Sequence, residues 1–271
     1  MACFHPWRME VNDVVQVLPC GQCRGCRAAY AREWAMRCMH EASMHADNCF
    51  LTLTYSDEYL PRNNSLDKSA FPLFMKRLRK AIAPQRVRYF HVGEYGERSG
   101  RPHYHALLFG YDPPDKVLFS VRAGFPVFTS DGLRAAWPYG LHEVGCVTAQ
   151  SAAYVARYVR KKMTGSWSKA KYGDREPEYG TMSRNPGIGA GWIDRYMCEV
   201  FPADSVVVRG KLFKPPRYYA ERVSRCKPLM MDGVKFARFQ ARKRDEETAE
   251  RLAVREKCAI AREDLYREGE L

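Results

Sequence analysis

His103-Tyr104-His105 sets two imidazoles two positions apart, between Gly100 and Gly110. Arg101 and Pro102 precede a mostly apolar run, and the stretch reads as a strand. Side chains two apart on a strand share a face, so both imidazoles project together and Tyr104 points the other way. Paired imidazoles suit a divalent metal. A third ligand is expected from the preceding strand, in Phe90-His91-Val92-Gly93-Glu94-Tyr95. Glu94 is nearest the turn and hence nearest His103. His91 is an alternative, farther from the turn and of opposite parity to Glu94. Two imidazoles with a carboxylate make a mixed nitrogen and oxygen site suited to Mg²⁺ or Mn²⁺. Leu107 in the third alternating position argues against a hydrolase built on three strand histidines.

Tyr154 and Tyr158 lie four apart in Ser151–Lys162, a segment with helical periodicity. Residues at that spacing are neighbours on one helix face. A phenol titrates near pH ~10 and needs nearby cations to attack at neutral pH. Lys161, three positions beyond Tyr158, is the expected helper, and Arg157, Lys162 and Arg101 are the expected contacts to DNA phosphates. A metal that polarises a phosphodiester and a tyrosine that attacks it would together make a covalent tyrosine–DNA bond. That bond conserves the energy of the broken one, so strands could be rejoined without ATP.

A third constellation is Cys20-Gly21-Gln22-Cys23-Arg24-Gly25-Cys26. Its spacing suits a structural Zn²⁺ knuckle, with Cys3, His5, Cys38 or Cys49 as the fourth ligand. Without metal, these are reduced loop thiols.

These residues need a scaffold. The chain has 271 residues, 46% of them hydrophobic, which is enough to build a core. The net charge of +13 favours a polyanionic partner, nucleic acid before membrane. No apolar run approaches the ~20 residues needed to cross a bilayer, and the N-terminus has no signal-peptide core. A cytoplasmic location without membrane contact is expected. Helices are expected over 28–46, 71–81, 151–163 and 193–201, and strands over 49–55, 86–95 and 103–110, the last two forming a hairpin. Residues 111–150 stay ambiguous between strand and helix, 164–192 read as an ordered loop near the substrate, and 205–220 as extended. The β–α–β–β–α order predicts an α+β fold, a sheet with helices packed on it. The expected organisation is a cysteine-containing segment over 1–27, a main domain over 28–220, and a charged helical tail over 221–271.

Three motifs in order, Phe50–Tyr55, His103-Tyr104-His105 and Tyr154 to Lys161, resemble the HUH endonucleases of rolling-circle replication. Pro19–Cys26, Gly93–Gly96, Ser151–Lys162 and Met182–Gly189 look like the replication initiators of gokushovirus-type microviruses. The resemblance covers residues 19–220. It implies a five-stranded antiparallel sheet with flanking helices. His103 and His105 would be metal ligands, with Glu94 the acidic one, and Tyr154 and Tyr158 alternating nucleophiles. It also implies single-stranded DNA and the replicative-form origin as substrates, a host polymerase as partner, and the host bacterial cytoplasm as location. No Gly-x-x-x-x-Gly-Lys-Ser/Thr phosphate loop occurs in the sequence, so a host helicase is expected to unwind the duplex. Two other readings fit the residues: a basic nucleic-acid-binding protein without catalysis, and a relaxase or single-strand transposase of the same superfamily.

Overall fold

The computed structural model describes residues 3–11, 14–97, 99–159, 170–241 and 247–268. By contacts, the chain divides into one unit of residues 34–197 and another of residues 1–33 with 198–271. The sequence placed its boundaries at 27/28 and 220/221 instead.

The 34–197 unit is built on one antiparallel sheet. Its strands are β3 (Asn48–Thr54), β4 (Arg88–Tyr95), β5 (Pro102–Phe109), β6 (Val117–Arg122), β7 (Phe125–Thr129), β8 (His142–Cys146) and β9 (Tyr179–Met182). They lie in the order β6-β7-β8-β3-β5-β4-β9. The sheet has seven strands, so the expected five is corrected. Two of the extra strands, β6 and β7, fall in the ambiguous stretch 111–150. Their turn at Ala123 and Gly124 has both residues at positive φ, 49° and 79°, as a tight hairpin turn demands. Alanine there hides the usual sequence signal. β9 lies in the stretch read as a loop; it is four residues long and pairs only with β4.

Alternation along β3 sends Cys49, Leu51 and Leu53 to one face, where they are buried. The helix α2 (Ala70–Ala81) covers that face with Phe71, Phe74, Met75 and Leu78, all of them buried. Tyr104, Ala106 and Leu108 of β5 point the same way and join this core. Arg77, on α2 but away from these, reaches the Tyr139 hydroxyl at 2.9 Å. A six-residue helix, α3 (Asp131–Ala136), starts at Ser130, whose hydroxyl accepts from the Leu133 amide. Phe50, Thr52 and Thr54 face the opposite way, as do Phe90, Val92 and Glu94 of β4 and His103 and His105 of β5. On this second side Phe90 stacks on Trp34, 4.8 Å between centroids, near the start of the unit's share of α1 (Arg24–Ala42). The helices α4 (Ala149–Val159) and α5 (Ala190–Val200) complete the unit. Their bounds run earlier than the expected 151–163 and 193–201.

The other unit holds the hairpin β1 (Trp7–Val11) and β2 (Val14–Leu18), the start of α1, and the short hairpin β10 (Val206–Val208) and β11 (Lys211–Phe213). Three helices follow: α6 (Arg217–Cys226), α7 (Pro228–Gln240) and α8 (Ala249–Glu268). The charged tail is therefore several helices. Within this unit α8 is tied to the N-terminal segment by Arg24 to Glu263 at 3.0 Å and His5 to Glu256 at 2.9 Å. Among the described residues no helix is long and apolar enough to cross a membrane.

Candidate active site

The hairpin of β4 and β5 pairs Glu94 directly with His103, and Val92 with His105. Cross-strand partners share a face, so the carboxylate and both imidazoles meet on the side away from α2. Glu94 Oε1 lies 2.8 Å from His103 Nε2 and 3.0 Å from His105 Nε2. One ligand atom from each residue falls within 4.8 Å of the others.

The outer nitrogens are also engaged. His103 Nδ1 lies 3.2 Å from the Arg101 carbonyl oxygen. A carbonyl only accepts, so Nδ1 carries the proton and a neutral His103 turns a bare Nε2 lone pair toward the carboxylate. His105 Nδ1 is 3.0 Å from the Thr52 hydroxyl, reached from β3, where Thr52 pairs with His105 in register. The Phe50 ring stacks on the other side of His105 at 5.6 Å.

Burial of Glu94 works to raise its pKa, but hydrogen bonds from His103 and His105 overcome this and hold the carboxyl below its ordinary range. Burial holds the His105 imidazole below its ordinary value against the pull of Glu94. An ionised carboxylate and a neutral imidazole are the forms in which these residues ligate a cation. Glu94 is 1% exposed, and its second oxygen, Oε2, is buried without a hydrogen-bond partner. A charged group so placed is costly without a compensating charge. The orphaned oxygen, the facing lone pair and the nitrogen and oxygen donor set fit a divalent cation held by Glu94, His103 and His105.

Helix α4 brings the nucleophile candidate to this cluster. Thr148 and Ser151 cap its start reciprocally: the Thr148 hydroxyl accepts from the Ser151 amide at 3.1 Å, and the Ser151 hydroxyl accepts from the Thr148 amide at 2.8 Å. Ala152, Val155 and Ala156 are buried, and the small alanines let the helix lie close to the sheet. Tyr154 on the next position round presents its hydroxyl 3.4 Å from His105 Nε2. Its ring meets His105 and Phe50 edge-on, at 5.1 and 6.3 Å. Arg157 sets its guanidinium 5.7 Å from the Tyr154 ring.

A family model described as replication-associated protein ORF2 matches residues 48–163, a span containing β3, the hairpin and α4. The chain is 39% identical over 212 residues to replication-associated protein VP4 of Bdellovibrio phage phiMH2K, covering 75% of this chain and 66% of that one. It is 35% identical over 229 residues to replication-associated protein ORF2 of Spiroplasma virus 4, covering 79% and 69%. The chain belongs to this family of viral replication-associated proteins. Replication-associated protein ORF4 of Chlamydia phage 1 is 29% identical over 221 residues, 78% of this chain and 55% of its own. The chain thus spans between about half and about two thirds of these relatives' lengths. No solved structure matches it.

In this replication-associated protein the structure brings Glu94, His103, His105, Tyr154 and Arg157 together. Position 158 falls one turn beyond Tyr154 on α4, but the side chain of Tyr158 lies outside the described residues, as do Lys161 and Lys162. Arg101 turns to its own unit: its guanidinium pairs with Asp57 at 2.5 Å and donates to the Tyr55 carbonyl at 2.9 Å. His91 is removed as an alternative ligand. Parity sends it to the α2 face, where it stacks on Phe71 at 3.6 Å and is fully buried. Tyr104 also points that way, bonding the Asp67 carbonyl and the Tyr55 hydroxyl.

Cys20, Cys23 and Cys26 come together in the other unit, and the fourth place beside them is taken by Cys3. His5 pairs with Glu256 instead, while Cys38 and Cys49 are buried in α1 and β3. Two residues of the main site escaped the sequence reading, Thr52 and Phe50. The period-two alternation of Phe50, Thr52 and Thr54 held the signal, since it sets them on the histidine face once β3 is paired with β5.

Proposed function

We propose that this chain is a replication initiator that nicks the origin strand of a circular single-stranded DNA genome and later rejoins it. The observation that carries the reading is the position of the Tyr154 hydroxyl, 3.4 Å from an imidazole that itself belongs to the Glu94–His103–His105 cluster. A phosphodiester lying against that cluster would have its phosphorus within reach of the phenol. Glu94, His103 and His105 would hold Mg²⁺ or Mn²⁺, which supplies positive charge to the non-bridging phosphate oxygens as negative charge builds on them. Tyr154 attacks phosphorus, the bond from phosphorus to the 3′-oxygen breaks, and the proton lost by the phenol is balanced by the one gained at the 3′-hydroxyl. The 5′-phosphate stays on the tyrosine. Arg157 favours the phenolate and the approaching phosphate. Tyr158, one turn along α4, would serve as the second nucleophile for the return reaction, and Lys161 as its cationic helper. Arg101 and Lys162 would contact flanking phosphates. A host helicase and polymerase, in the host cytoplasm, would supply unwinding and extension.

The test uses labelled single-stranded oligonucleotides tiling the cognate genome, incubated with the protein and Mn²⁺. A protein–DNA adduct that survives denaturant is expected, lost with chelator and lost in a Tyr154→Phe, Tyr158→Phe double variant. An adduct that persists in that variant removes the tyrosine assignment. Binding with no cleavage of any oligonucleotide favours a non-catalytic nucleic-acid-binding role.

A further inference from the structure

The hairpin of β1 and β2 has little packing to hold it. Trp7, Met9, Val15 and Leu18 are all exposed, and an isolated two-stranded hairpin is marginal in water. Something at its base has to fix it. Cys3 stands before β1 and Cys20 after β2, just outside the pair Trp7 and Leu18 that closes the ladder. Cys23 and Cys26 bracket the first turn of α1. The cysteine cluster thus sits where the two hairpin ends meet a helix start.

The four sulfurs lie within 4.8 Å of one another, and Cys3 Sγ and Cys23 Sγ are 3.9 Å apart. Thiolates bound tetrahedrally to one zinc at about 2.3 Å are spaced about 3.8 Å from each other. A disulfide requires about 2.05 Å, and all four cysteines are free. A four-iron cluster would place irons and sulfides between the thiolates and spread them much farther apart. The cage is therefore the size for a single ion.

Backbone amides converge on the same sulfurs. The Cys20 amide donates to Cys3 Sγ at 3.2 Å, the Phe4 amide to Cys23 Sγ at 3.3 Å, the Cys23 amide to Cys20 Sγ at 3.3 Å, and the Cys26 amide to Cys23 Sγ at 3.4 Å. A neutral thiol is a weak acceptor, whereas a thiolate takes such bonds well. Amide donors of this kind orient metal-bound sulfurs. Gly21, at φ 74°, makes the turn between Cys20 and Cys23, a backbone that a side chain would strain. The start of α1 adds its positive dipole end beside Cys23.

We propose that Cys3, Cys20, Cys23 and Cys26 form a closed, structural four-thiolate Zn²⁺ site that clamps the β1–β2 hairpin onto the start of α1. On binding, the ion displaces the remaining thiol protons to solvent, leaving a complex of net charge −2. With four protein ligands no position is left for water, so the site holds structure and does no chemistry. It stands apart from the Glu94–His103–His105 cluster in both ligand type and residues.

The test measures zinc in the full chain purified without chelator, by elemental analysis, together with Co²⁺ substitution. One zinc per chain is expected, retained in a His103→Ala, His105→Ala variant and lost in Cys3→Ser and in Cys23→Ser. The Co²⁺ form should show the intense visible and charge-transfer bands of a tetrahedral tetrathiolate, a readout on the unmutated chain that does not depend on how the serine variants fold. Amide exchange across Trp7–Leu18 should quicken when zinc is removed. Absence of zinc with four titratable thiols, a disulfide seen by mass, bound iron, or zinc that follows the histidines would each overturn the proposal.

Discussion

Glu94 and His103 stand directly opposite each other on β4 and β5, with Oε1 2.8 Å from Nε2. The carboxylate is buried and its other oxygen has no partner. Glu94→Gln keeps the shape and removes the charge. Loss of an outer-shell partner costs about 10–100-fold in metal affinity, so loss of a direct ligand should weaken Mn²⁺ binding by at least about 100-fold. Calorimetric titration of Mn²⁺ into both proteins checks this. Equal affinities would mean that the cluster is an ordinary buried hydrogen-bond network.

Thr52 acts through His105. Its hydroxyl fixes the imidazole by Nδ1 at 3.0 Å and so aims Nε2 at Glu94. Thr52→Val retains the β-branched shape and deletes that bond. Mn²⁺ affinity should fall by about 10-fold, while the far-ultraviolet dichroism stays that of the parent. A larger loss, with altered dichroism, would show that Thr52 is needed for the strand itself.

His40 packs against Trp192 at 3.5 Å, and burial lowers its pKa from 6.5 to about 4. The folded protein then keeps His40 neutral at a pH where the unfolded chain binds a proton. Stability should fall as pH drops below about 6.5 and level off below about 4 on this account. Burial also holds His91 well below its ordinary value, and it adds to the same slope. His40→Phe preserves the stack and should flatten the dependence, measured as urea midpoints across that window. Parallel slopes in parent and variant would contradict it.

Gly140 lies against β3 where that strand ends. A Cβ there would meet the Ser56 amide nitrogen and the Thr54 carbonyl oxygen, each at 2.4 Å. These are backbone atoms that cannot move aside without disturbing the Thr54 amide bond to Leu141 O, at 2.9 Å. Gly140→Ala should cost about 3 kcal/mol or more in thermal or denaturant unfolding. A change of a few tenths would mean that the loop yields instead.

The central hairpin was legible because strand parity is strict. The rule that joins His103 to His105 also joins Glu94 to them and sends His91 and Tyr104 away, as the structure has it. Strands were missed where that rule had little to act on. β9 has four residues, and β6 and β7 turn through Ala123 and Gly124 without an asparagine–glycine signal. The hairpin in the N-terminal segment went unread although Val14–Leu18 is rich in β-formers. Cys3 could not be chosen over His5, Cys38 or Cys49, because its place beside Cys20 depends on how that hairpin closes. The start of α4 carried its signal openly in Thr148 and Ser151, but a serine in place of the usual acidic residue makes that capping pair easy to pass over.

Glu94 and His103 are nine positions apart in the chain, whereas Tyr154 is 49 positions from His105. The ligand cluster is a local structure whose closure costs little chain entropy, and the phenol reaches it only through the long-range docking of a helix. Grip and attack are thus separable inheritances: a lesion that loosens α4 would disarm the protein while leaving its hold on an ion intact.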